Sequence, residues 1–122
     1  MQAHEAKVYA ALRIVAGFLF LWHGLSKLFA IPMPAPAEAP GFVIWVGGSI
    51  ELIGGALVML GLFTRAAAFL CSGFMAAAYW MAHGFNALLP IANQGELAAL
   101  YCFVFLYISA RGAGMWSLDA RT

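Results

Sequence analysis

Apolar residues dominate four stretches of the chain, about Val8–Phe29, Phe42–Leu62, Ala66–His83 and Leu97–Ala110, and polar residues gather between them. A membrane-spanning helix needs about 20 residues, within a range near 17–25. The pattern predicts four spanning helices over about 8–29, 42–62, 66–83 and 96–111, the last two runs extending into their flanks. The expected fold is therefore an all-α membrane protein, one four-helix transmembrane domain across residues 1–122, folded as an antiparallel bundle. A cleaved signal peptide is the competing reading of the first run, with Lys7 as its basic start and Ala35-Pro36-Ala37 as a cleavage site. The run is too long for that, and Arg13, His23 and Lys27 are foreign to such a segment.

The connections carry their own signals. Pro32, Pro34, Pro36 and Pro40 make the first one extended rather than helical, because proline fixes φ and lacks a backbone donor. Gly61-Leu62-Phe63-Thr64-Arg65 leaves room only for a tight turn, so helices two and three form a hairpin, with Thr64 as the expected N-cap. The third connection holds Asn86, Pro90, Asn93 and Gln94 among apolar residues and is expected at the membrane surface. Lys7, Arg13, Arg65, Arg111 and Arg121 fall on one side of this topology and only Lys27 on the other. The positive-inside rule then puts both termini in the cytoplasm.

Composition agrees. Of 122 residues, 65% are hydrophobic and 9% charged, against about 25% charged in soluble domains. The net charge of +1 argues nothing for nucleic acid and there is no basic tract, so no nucleic-acid partner is expected. Cys71 and Cys102 make no Cys-x-x-Cys, no zinc motif and, at their different depths, no disulfide. No metal site and no cofactor is expected by motif.

Against this apolar background Glu51 stands out, within Gly47-Gly48-Ser49-Ile50-Glu51-Leu52-Ile53-Gly54-Gly55. An acid at membrane depth costs roughly 2.5–3.5 kcal/mol and needs a partner or a proton. At the helical rise it lies ~14 Å below the external boundary, and His23 lies ~9 Å below it. His23 is the expected partner of Glu51. Lys27, His83 and Glu96 cluster on the same external half, as do Trp22 and Trp80. Each also has a plainer reading. Lys27 can snorkel, Glu96 can answer a helix dipole, His83 can cap helix three, and the tryptophans can form an interfacial belt. Arg13, on the other half, is expected to snorkel to headgroups.

Trp22-His23-Gly24-Leu25-Ser26-Lys27-Leu28 resembles the first-helix signature of the DoxX family. Glu51-Leu52-Ile53-Gly54-Gly55 with Gly61-Leu62-Phe63-Thr64-Arg65, then Gly95-Glu96-Leu97 and Trp116-Ser117-Leu118-Asp119, are similar to its later segments. Asn93-Gln94-Gly95 and Gly112-Ala113-Gly114-Met115 depart from its pattern. The resemblance implies a four-helix membrane protein with a redox-associated role.

Two functional readings follow. In the first, the chain is a membrane subunit of a redox-associated, quinone-linked complex. Glu51 and His23 would be the catalytic, proton-handling pair. Trp22, Lys27, Gly48, Gly55, Trp80, His83 and Glu96 would line the pocket, the glycines leaving room for a flat ring. Electrons would come from a partner, so the chain is not a complete enzyme alone. In the second, it is a non-enzymatic scaffold or accessory subunit whose buried polar residues set helix register. Either reading expects membrane lipids and a protein partner or second copy as neighbours, in a bacterial inner (cytoplasmic) membrane.

Overall fold

A computed structural model describes residues 2–30, 41–80, 89 and 95–119. Among these the chain is helical and contains no strand. The expectations for Pro32, Pro34, Pro36, Pro40, His83, Asn86, Pro90, Asn93, Gln94 and Arg121 lie outside the described residues.

The first helix, α1, runs Gln2–Phe29 and starts six residues before the apolar run does. Glu5 in its first turn and Lys27 in its last complement the helix dipole. A π-helical turn, Val43–Gly47, leads into α2, Gly48–Leu60. α2 stops at Gly61, whose φ of 70° favours a residue without Cβ. The N–H of Leu62 bonds to Leu57 O at 2.9 Å and that of Gly61 to Val58 O at 3.2 Å, which closes a Schellman motif.

α3, Thr64–Tyr79, follows at once. Thr64 is its first helical residue rather than its N-cap. Phe63 holds the cap position at φ 49°, a conformation that turns the chain sharply but brings no capping side chain. The cap comes from Asp119, whose carboxylate accepts the N–H of Phe63 at 2.9 Å and of Thr64 at 3.0 Å. α4, Glu96–Arg111, completes the set.

Small residues decide how closely the helices approach. A Cβ on Gly17 would sit 2.6 Å from Gly55 O and Met59 N, and one on Gly24 would sit 2.6 Å from Gly48 O. Pairing 17 with 55 and 24 with 48 runs α1 and α2 in opposite directions with backbones touching. The neighbouring glycines serve α3 instead. Gly54 faces Cys71 Sγ and Gly47 faces the Phe74 ring. The π turn and α2 together thus carry two glycine pairs, each spaced by seven residues, on adjacent faces. On α3 and α4, Ser72 Oγ donates to Cys102 O at 2.7 Å. Aromatic rings join α1 to α4, with Phe20 5.2 Å from Tyr101 and 4.8 Å from Phe105.

Among the described residues one helix, His4–Phe29 (26 residues, mean hydropathy 1.6), is long and apolar enough to cross a membrane. Ile44–Leu60 is apolar but shorter. The solvent-facing pattern is the more telling one. Phe18, Leu19, Ile53, Phe69, Leu70, Leu100 and Phe103 are exposed, while Arg13 and Glu51 are buried. Such a surface suits an apolar solvent.

Candidate functional site

Glu51 lies on α2 between the two glycine faces, so its side chain enters the seam where α1 and α3 both approach. It is 2% exposed. Its ion-pair and hydrogen-bond partner is the Lys27 ammonium, one turn from the end of α1. The expected pairing with His23 is not the one formed. Four residues separate His23 from Lys27, yet the longer lysine reaches inward while His23 stays at the exposed surface. Lys27 keeps 19% of its side chain exposed and rests 5.7 Å from the centre of the Phe74 ring. Its ammonium is thus shared between carboxylate, ring and surroundings.

Two further groups lie nearby, Cys71 on α3, whose Sγ meets Gly54 one turn along α2 from Glu51, and Tyr101 on α4. Tyr101 meets the His23 ring edge-on at 6.1 Å and stacks on Phe105 at 5.7 Å. The Glu51–Lys27 pair thus joins α1 to α2, with Cys71 packed on the α3 side and the His23–Tyr101 ring contact on the α4 side. Cys71 and Tyr101 were not expected there. Their signal is faint in the sequence, because a lone thiol and a lone phenol among apolar residues read as core. Both cysteines are free thiols.

The other expected pocket residues disperse. Gly48 and Gly55 face α1, and the space beside them is filled by Leu28, Lys27 and the Leu21 backbone rather than by an open slot. Trp22 stands on the outside of α1 against Phe18, at 5.9 Å, and Trp80 is exposed beside Tyr79. Glu96 is exposed at the start of α4, in a shallow depression with Leu97, Leu100 and Phe103. His83 lies outside the described residues. Among the described residues no three His, Cys, Asp or Glu side chains gather as metal ligands.

At the opposite end Arg13 builds a second polar centre. It does not snorkel outward, because the chain's own carbonyls reach it first. It is fully buried. Its Nε donates to Val58 O at 3.1 Å, Nη1 to Met115 O at 3.0 Å and to Ala113 O, and Nη2 to Trp116 O at 2.7 Å. One guanidinium thus ties α1 to the end of α2 and to the returning segment 112–119. Leu118 N–H and Asp119 N–H close on Leu60 O and Gly61 O at 3.0 and 2.8 Å. The N–H of Thr64, then that of Phe63, and the nearby Arg13 charge hold the Asp119 carboxyl below the usual carboxylate range.

Comparison with known families matches DoxX over residues 8–84, from the start of the apolar part of α1 past the end of α3. The chain belongs to the DoxX family. The match takes in Lys27, Glu51 and both glycine faces, so the membrane character of DoxX proteins extends to this chain. A Haemophilus influenzae protein described as "Uncharacterized protein" is 47% identical over 127 residues, covering 99% of this chain and 95% of its own. A Bacillus subtilis protein named "Putative oxidoreductase CatD" is 43% identical over 58 residues, 44% of this chain and 43% of that protein. No solved structure matches.

Proposed function

We propose that this DoxX protein is a four-span, antiparallel membrane subunit of a redox-associated assembly, and that its Glu51–Lys27 cluster handles protons for a quinone. The observation that carries this reading is the buried ion pair itself, set beside His23 and Tyr101. Two opposite charges withdrawn from water gain little stability over an apolar pair. An ionisable cluster kept inside a membrane protein therefore points to function. The word oxidoreductase in the name of the Bacillus subtilis relative supports a redox setting.

The residues present suit a quinone headgroup at the seam of α1 and α4 rather than behind α2. His23 is exposed there, and its ring meets Tyr101 at 6.1 Å, with Phe20 packed behind. His23 and Tyr101 would hold the carbonyl oxygens by hydrogen bonds. Glu51 and Lys27 would store or supply the proton one step further in. A bound quinone would accept or donate the electrons, and a partner protein would exchange them. The Arg13, Arg65 and Arg111 end faces the cytoplasm of a bacterial inner membrane in this reading, with both termini, and Lys27 faces outward.

A scaffold role is the second reading, favoured by the closed glycine contacts of α1 with α2. The two separate in the double variant Lys27→Met, Glu51→Gln, which removes both charges together. Quinone-dependent turnover of the purified membrane assembly falls if the cluster handles protons. Unchanged turnover with an intact assembly leaves only the scaffold.

A further inference from the structure

A cleft opens at the arginine-rich end between the start of α3, the end of α4 and segment 112–119. It belongs to neither functional reading above. Arg65 and Arg111 line it from different helices. Both are exposed and both are held in place. Arg65 donates Nη1 to Ser109 O at 3.1 Å and to Ala110 O at 2.5 Å, and Nη2 to Arg111 O at 3.2 Å. Those bonds use three of its five N–H donors. Arg111 lies 4.4 Å from the centre of the Tyr9 ring and donates to Tyr107 Oη at 3.1 Å.

Two carboxylates adjoin them. Asp119 is turned onto the N–H groups of Phe63 and Thr64. Glu5 is exposed and stands 3.5 Å from Arg111, a surface pair that is easily displaced. Phe63, Phe69 and Trp116 project outward around this end, as side chains do at a membrane interface.

We infer that this cleft binds the phosphate of an anionic phospholipid from the cytoplasmic leaflet, with Arg65 and Arg111 as its two cationic contacts. Fixed guanidinium forks match phosphate oxygens geometrically. Basic pockets at the cytoplasmic ends of spanning helices meet a surface rich in anionic headgroups. The inference rests on the membrane orientation proposed above, but not on the redox role.

The test uses the full chain in nanodiscs of phosphatidylcholine, with and without phosphatidylglycerol, read by thermal unfolding and by native mass spectrometry of retained lipid. Phosphatidylglycerol is expected to raise the melting temperature and to stay bound. Arg111→Gln, which spares the α4 carbonyl contacts of Arg65, is expected to retain it about tenfold less well. Arg65→Gln is expected to act in the same direction. Equal retention by the native chain and both variants overturns the site. Equal stabilisation by inorganic phosphate in pure phosphatidylcholine discs overturns the lipid assignment in favour of a free anion. Failure to enter the discs would instead refute the membrane reading.

Discussion

Glu51 and Lys27 show how one lysine changes the meaning of a buried acid. Alone, Glu51 would have to be neutral or be met by a neighbour. Paired, it becomes half of a unit in which either single change strands the other charge. Glu51→Gln is expected to lower stability by about 3 kcal/mol, and adding Lys27→Met to recover most of the loss. Thermal unfolding in detergent checks this, and additive losses would contradict the pairing. Arg13 carries a different burden, since its guanidinium satisfies carbonyls from two segments. Arg13→Met would leave them unpaired and cost roughly 3 kcal/mol or more. Protease nicking near residues 112–119 is the expected symptom, and a variant as resistant as the native chain would refute the tie. Asp119 gives the pH signature. Its folded pKa is depressed, so its contribution is complete above the unfolded value near 3.9 and fades as pH falls through the lower folded value. Asp119→Asn is therefore expected to be less stable than the native chain at neutral pH. The two are expected to converge in strong acid, while a constant gap down to the lowest pH would contradict this.

The helices were largely legible because their signals are local. Apolar runs anticipated a helix in each of the four regions where one is observed. Gly61 marked the turn after α2 because a φ of 70° suits a residue without Cβ. The N-cap of α3 was not legible, since the carboxylate that accepts its first N–H groups lies 55 residues away at Asp119. The partner of Glu51 was misread for a related reason. Depth along a helix placed His23 and Lys27 in order but not which way each side chain turns. Glycine spacing hinted at close packing without saying that Gly47 and Gly54 serve α3 while Gly48 and Gly55 serve α1. This division is testable. Gly17→Ala drives a methyl into the Gly55 and Met59 backbone, where nothing flexible can yield, and is expected to cost about 1–3 kcal/mol. Gly73→Ala, with nothing within 4 Å of the new methyl, is expected to be neutral or stabilising. Equal melting temperatures for the two variants would contradict the packing scheme.

Among the described residues the buried charges, Arg13 and Glu51, sit at two levels beneath many exposed apolar side chains. One end is fastened by Arg13, Arg65 and Asp119 onto backbone groups, which makes it a structural closure. The other holds the Glu51–Lys27 pair, with His23 exposed on the α1 and α4 side. On the proposed function, Glu51 would change protonation with the redox state of a bound quinone. Redox-difference infrared spectroscopy of the native membrane assembly measures this most directly. A carboxyl band that appears and disappears with quinone oxidation state, and is absent in Glu51→Gln, is the expected result. Difference spectra of the native and Glu51→Gln assemblies with identical carboxyl regions would contradict it.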